Sequence, residues 1–253
     1  MNKNRFIILF ALSVFLFCMY QVTMQVYAGY QNEQVYEAIR SNYQAVDTLP
    51  NKHKQEPKGH LIKEEKPQEV MHAFNPLLEK NADTIGWVTV PNTVIDYPVV
   101  KTEDNEFYLD HNFEQENSSA GAIFMDYRNA GDGDDRHTII YGHHMKDGSM
   151  FKQLTKYQSK EFFEENRTIT LNTLYQQTKW EVFSAYVTTT DFYYIATQFR
   201  SNRDYLGFLN QLQEKSIHDT AMDLSEDDQV LTLSTCSYDF DDARFVVHAR
   251  RVR

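Results

Sequence analysis

The sequence predicts a mostly β domain, a closed β-barrel with a few helices attached. Three observations predict it. Short runs of β-branched and aromatic residues recur from about residue 85 to the C-terminus, with turn-forming residues between them. One stretch only, residues 201–216, carries a strong helical stripe in that region. And 253 residues, 42% of them hydrophobic, are enough for one domain with a real core but not for two large ones.

The N-terminal segment comes first. Lys3 and Arg5 precede the apolar run "FIILFALSVFLFCMY", and no acidic residue appears before Glu33. With "QVTMQVYA" the run is long enough to cross a bilayer at about 1.5 Å per residue. Its positive flank belongs on the cytoplasmic side, which puts the rest of the chain outside. A cleaved signal peptide, with Val26-Tyr27-Ala28 as the cleavage site, is the competing reading. Residues 1–28 are therefore read as a signal-anchor or transmembrane segment. Residues 29–70 are polar and mixed in charge and read as a spacer, with a helix over "NEQVYEAIRSNYQAV". Residues 71–253 are read as the main folded domain.

Within that domain a short helix is expected at "MHAFNPLLEKN". "IGWVTVPNTVIDYPVV" reads as strand, turn, strand, and "GAIFMDY" and "HTIIYGHHM" as short strands. "TITLNTL" and "KWEVFSAYVTTT" form a hairpin. "SNRDYLGFLNQLQEKS" is a helix capped by Ser201 or Asn202, with Tyr205, Phe208, Leu209 and Leu212 on one face. It is inserted before the last two strands, "DQVLTLSTC" and "ARFVVHARRVR". A closed barrel of many short strands accommodates this pattern.

The formal net charge of −11 argues against nucleic acid as a partner, because an acidic chain gains nothing from counterion release. The two cysteines are Cys18, inside the apolar run, and Cys236, at the end of "TLSTC". No disulfide framework is possible. Cys236 is then a packed core residue, a metal ligand or a nucleophile.

If the last two strands form a hairpin about Phe240, Cys236 faces Arg244, Ser234 faces Val246 and Thr232 faces His248. A guanidinium beside a thiol favours the thiolate and can hold a developing oxyanion. Of nine histidines, His143 and His144 in "YGHHM" stand out, because they follow a strand directly and begin a loop. A surface or structural pair is the plainer reading. A zinc site from His137, His143, His144 and Cys236 lacks paired-ligand spacing. "AGDGDDRH" resembles a calcium loop, but the twelfth position from Asp132 is His143, not Glu.

Taken together, an N-terminal anchor, "YGHHM", "TLSTC" and an arginine shortly after the cysteine resemble the sortase transpeptidases of Gram-positive surfaces. "IGWVTVPNTVIDYPVV", "DNEFYLDHNF", "GAIFMDYR" and "YGHHMKDGSMF" are similar to class B of that family. The resemblance covers roughly residues 70–253. It implies the sortase-type closed β-barrel with an N-terminal helical extension. It implies a membrane-bound cysteine transpeptidase whose domain faces the cell wall and which needs no cofactor. Carried over by motif, the catalytic residues are His143, Cys236 and Arg244, with Ser234 a substrate-binding helper. His144 falls on a position that is not catalytic in the family. The implied reaction cleaves a Pro-x-Thr-type C-terminal sorting motif of an exported protein through a thioester. The acyl group then passes to a peptidoglycan amine. Alternatives are a hydrolase using the same site and a pilin-polymerising sortase.

Overall fold

The structure is a computed structural model describing residues 3–47, 69–189, 191–236 and 243–252. Most of the expected spacer, 48–68, and the turn between the last two strands, 237–242, lie outside the described residues.

Helix α1 (Lys3–Asp47) includes the helix expected over 32–46. The chain groups into two compact units, residues 1–38 and 39–253. The first is helical and presents Ile7, Leu9, Phe10, Phe15 and Phe17 on its surface. It is apolar and long enough to cross a membrane by length and composition.

The second unit begins with the last two turns of α1. Tyr43 lies flat on Trp87, with ring centroids 4.1 Å apart and planes 1° from parallel. The Asn172 side-chain amide donates to the Tyr43 hydroxyl at 2.9 Å. Arg40 Nε sits 3.6 Å from the Asp96 carboxylate, which also accepts from Trp87 Nε1 at 2.6 Å. So residues 39–46 are fastened to the barrel wall by stacking, a buried amide and one shared carboxylate.

The barrel comprises β1 (Thr84–Thr89), β2 (Asp96–Val100), β3 (Phe124–Met125), β4 (His137–Tyr141), β5 (Thr168–Thr173), β6 (Gln177–Thr188), β7 (Val230–Cys236) and β8 (Arg244–Arg251). They close in the order β1-β2-β3-β4-β7-β8-β6-β5, and β5 returns to β1. Pairs β2–β3 and β4–β7 are parallel. The others are antiparallel. The expected closed barrel is therefore what the chain forms. β1 and β2 meet through the Pro-Asn-Thr turn: Asn92 takes φ 59°, and the Thr93 hydroxyl donates to the Val90 carbonyl at 2.7 Å.

Helices α2 (Asn75–Lys80), α3 (Lys160–Glu165) and α4 (Asn202–Glu214) attach outside the strand sequence. Ser201 caps α4 by accepting from the Asp204 amide at 3.1 Å. Tyr205, Leu209 and Leu212 are fully buried, packed with Tyr186, Val230 and Val246 from one face of the β6–β8–β7 sheet. Alternate residues Leu231, Leu233, Val247 and Ala249 are buried on the other face, inside the barrel. The helix α3 and the 3-10 stretch Phe151–Gln158 were not predicted. Phe151, Leu154 and Tyr157 are buried there at three-residue spacing, a period that neither a strand nor an α-helix pattern captures well.

The docking of residues 39–46 yields a test. Tyr43→Ala removes the stack and the hydrogen bond from Asn172 together, and is expected to cost about 3–5 kcal/mol, the usual range for deleting a buried aromatic ring. Urea denaturation of the variant should show a lower midpoint with an unchanged slope.

Candidate functional site

A cleft opens where β4 and β7 end and β8 begins. It is lined by Asn105 and Leu109 from the loop after β2, Phe124 from β3, and Tyr141, Gly142 and His143 from β4 and its exit. Tyr194 joins from the segment after β6, with Ser234 and Thr235 from β7 and Arg244 from β8.

The strand register puts these groups together. β7 and β8 pair as Cys236↔Arg244, Ser234↔Val246 and Thr232↔His248, the register expected from the sequence. β4 pairs with β7 as Tyr141↔Ser234, and the Gly142 amide extends that ladder by donating to the Ser234 carbonyl at 3.2 Å. Three of the expected residues, His143, Ser234 and Arg244, thus line one cleft. The fourth, Cys236, ends β7 opposite Arg244 in the ladder.

Gly142 is glycine because of close approach. A Cβ there would lie 2.5 Å from Ile123 Cδ1 and 2.8 Å from Phe151 Cγ. The chain can then leave β4 tightly against the core and aim the next residue into the cleft. His143 lines the cleft, whereas His144 is buried and pairs across the following turn with Met150.

His143 Nε2 lies 2.6 Å from the Leu109 carbonyl. A carbonyl only accepts, so Nε2 carries the proton and the ring is held in one orientation. Gly121 backs this contact. It adopts φ +57°, and a Cβ there would lie 2.5 Å from the Tyr108 carbonyl oxygen, 2.9 Å from the Leu109 oxygen and 3.0 Å from His143 Cδ2.

The cleft walls share a second support. Asp126 is fully buried. Its carboxylate takes Arg128 Nε and Nη2, each at 2.7 Å, the Tyr141 hydroxyl at 2.8 Å and the Asn105 amide at 3.1 Å. Burial raises its pKa, but the Arg128 bonds and the Tyr141 hydroxyl outweigh this and hold it below the usual carboxylate range. Burial, then the Asp126 charge, drives the Tyr141 phenol far upward, so it stays a neutral donor. Arg128 reaches on to the Tyr193 hydroxyl at 2.8 Å and the Ile195 carbonyl at 3.1 Å. Between those two, Tyr194 meets Ser234, hydroxyl to hydroxyl, at 2.9 Å.

Among the described residues no cluster suited to a metal ion is present. His137, weighed as a zinc ligand, stands at the far end of β4 with both ring nitrogens bonded to protein, to the Ala196 carbonyl at 2.7 Å and the Thr232 hydroxyl at 2.6 Å.

The sequence reading missed Asn105, Leu109, Asp126, Arg128, Tyr141 and Tyr194. A carbonyl such as that of Leu109 leaves no residue-type signal. The tyrosine-rich "DFYYIA" could have been flagged as an aromatic loop too rich for a solvated connection.

Comparison with known proteins decides the family. The family model described as "Sortase domain" matches residues 88–252. The chain belongs to the sortase family. Sortase B of Listeria monocytogenes is 35% identical over 246 residues, covering 96% of this chain and 94% of that protein. Sortase B of Staphylococcus aureus is 33% identical over 220 residues, covering 86% and 90%. A crystal structure of sortase B from Bacillus anthracis superposes with a TM-score of 0.75 at 41% identity, covering 88% of this chain and 97% of that one. A Staphylococcus aureus sortase B–substrate complex superposes with a TM-score of 0.77 at 32% identity, covering 89% and 98%. With class B relatives of this extent, the protein is a transpeptidase of the cell-wall sorting type that acts on surface proteins. The N-terminal apolar helix is compatible with a membrane anchor for this sortase.

Gly121→Ala tests the support of His143. The new methyl group must move the Leu109 carbonyl or the imidazole, and displacement of a reacting group by about 1 Å can cost on the order of 10²-fold in rate. Turnover is expected to fall by that order, with the thermal transition retained; wild-type turnover would show that the contact does not matter.

Proposed function

We propose that the protein is a membrane-anchored, extracytoplasmic cysteine transpeptidase with Cys236 as nucleophile, His143 as acid and base, Arg244 as oxyanion and substrate ligand, and Ser234 as a substrate contact. The observation that carries this reading is convergence. His143 follows β4, Ser234 lies on β7 and Arg244 begins β8, yet all three line one cleft, and Cys236 pairs with Arg244 in the ladder.

The steps follow from what each group can do. The Cys236 thiolate adds to the carbonyl carbon of the threonine in a Pro-x-Thr-type sorting motif. The carbonyl oxygen takes the negative charge beside the Arg244 guanidinium. As the tetrahedral adduct collapses, the C–N bond breaks and His143 gives its proton to the leaving amine. Because Nε2–H is committed to the Leu109 carbonyl, Nδ1 is the ring atom that gains and loses the catalytic proton. A thioester remains. An amine of peptidoglycan then attacks it, His143 accepts the proton from that amine, and the thiolate leaves. Water in place of the amine gives hydrolysis, and a pilin lysine gives polymerisation.

Localisation follows from the N-terminal helix. Lys3 and Arg5 flank it on the N-terminal side, which favours a cytoplasmic N-terminus and a catalytic domain facing the cell wall. No cofactor enters any of these steps.

The full chain in detergent, given a quenched sorting-motif peptide and an amine acceptor, tests the reading. Cys236→Ala should abolish both cleavage and ligation; cleavage retained at the wild-type rate refutes the nucleophile assignment. Arg244→Lys keeps the charge but loses the planar fork, and should lower turnover about 10²-fold or more, the scale seen when an oxyanion donor is lost. His143→Ala should be far more damaging than His144→Ala, read in the same assay; the opposite order moves the role to the neighbour. Cleaved peptide without ligated product under saturating amine would favour the hydrolase.

A further inference from the structure

Below the cleft, on the face of the sheet roofed by α4, a line of buried polar groups crosses five segments of the chain. The Tyr186 hydroxyl on β6 is 2.8 Å from His248 Nε2 on β8. His248 Nδ1 is 2.7 Å from the Thr232 hydroxyl on β7. That hydroxyl is 2.6 Å from His137 Nε2 on β4. His137 Nδ1 is 2.7 Å from the Ala196 carbonyl in the segment after β6. His137, Thr232 and His248 are each at most 1% exposed.

The proton positions in this line are determined. The Ala196 carbonyl only accepts, so His137 carries its proton on Nδ1 and its Nε2 must accept. The Thr232 hydroxyl therefore donates to His137, which leaves its oxygen to accept from His248 Nδ1–H. His248 Nε2 then accepts from the Tyr186 hydroxyl. His137, Thr232 and His248 each donate once and accept once, with both imidazoles neutral. Reversing one bond would leave a buried donor facing a donor, at a cost comparable to a lost hydrogen bond.

Four of these segments, all but β6, also supply the cleft. His137 lies four residues before Tyr141 on β4, Thr232 two before Ser234 and four before Cys236 on β7, and His248 four after Arg244 on β8. Ala196 lies two residues after Tyr194. At about 3.3 Å per residue the line runs about 7 Å beneath Ser234 and about 13 Å beneath Tyr141, Cys236 and Arg244, bonded to every wall that carries an expected catalytic or substrate group.

We propose that Thr232, through this one-directional line of bonds to His137 and His248, is a positioning residue for transpeptidation, locking β7 against β4, β8 and the segment carrying Tyr194 so that the groups of the cleft meet. The activity readout rests on the transpeptidase reading above; the line of bonds itself does not.

The device has an acid limit. Burial holds His137 down at about 4 and His248 well below its ordinary value. Around His137, the Asp126 charge opposes burial and the Arg128 charge adds to it, while Phe208 of α4 contributes only a ring. Around His248 stand His137, Tyr186, Tyr194 and Phe183. Both folded values lie below the unfolded one. The stabilisation is thus fully present above about pH 6.5 and is lost as the pH falls towards 4. The Thr232 hydroxyl donates to a nitrogen that accepts only when its ring is neutral. Removing the hydroxyl therefore lets His137 protonate at higher pH.

Two arms test this on the full chain in detergent. Histidine-selective 15N NMR should show His137 and His248 as neutral Nδ1–H tautomers down to pH 5; an Nε2–H tautomer for either ring at pH 7 overturns the proposal. Thr232→Val should lower transpeptidation at least tenfold and shift the acid limb of its pH profile upward, and Thr232→Ser should restore both. A valine variant with wild-type rate and limb, or a serine variant as impaired as valine, overturns it. Should the wild-type chain show no transpeptidation, the profile is read instead as iodoacetamide alkylation of Cys236, resolved from Cys18 by peptide mass spectrometry. There an unchanged midpoint in Thr232→Val overturns the proposal, and a shifted midpoint restored in Thr232→Ser supports it.

Discussion

The parallel pairing of β4 with β7 is the constraint on which the rest of this molecule depends. Two parallel neighbours cannot be joined by a tight turn, so the chain must leave the sheet after Tyr141 and return at Val230. That excursion contains β5 and β6, which complete the barrel, and α4, which covers the sheet beside the cleft. It also leaves the C-terminal ends of β4 and β7 side by side. A histidine emerging from one and a cysteine ending the other follow directly from this geometry.

The crossover has to be held down, and buried polar groups do much of this. Arg128, paired with the buried Asp126, reaches the Tyr193 hydroxyl and the Ile195 carbonyl. A bidentate guanidinium–carboxylate pair is directional as well as strong, which suits it to fixing one loop against another. The same carboxylate orients Tyr141 and Asn105, so three walls of the cleft share one anion. Placing a charge in the interior costs desolvation energy. Here that cost is offset by five donors converging on two oxygens.

Much of this was legible in the sequence, for identifiable reasons. The register of β7 and β8 could be read because an acid-rich turn sits between two clear strands and because Cys236 and Arg244 lie symmetrically about it. α4 declared itself through a serine cap and a helical stripe. Gly142 and His143 stood out because a glycine and polar residues followed an apolar strand at once. Other features were not legible. The strand expected over "GAIFMDY" is present as β3, but at two residues it is shorter than the pattern suggested. The 3-10 stretch 151–158 follows a three-residue spacing that matches neither the strand nor the α-helix period. Asp126 and Arg128 are an ordinary acid and base in sequence, and only the fold shows that one is fully buried and the other bridges two loops.

The last strand carries a consequence for timing. β8 hydrogen-bonds to both β6 and β7, so it is the stave that shuts the barrel, and it also brings Arg244. Every earlier segment of the chain can be complete while the barrel is still open along that seam. A chain cut short before β8 therefore keeps an open edge on both β6 and β7 and lacks the Arg244 wall of the cleft.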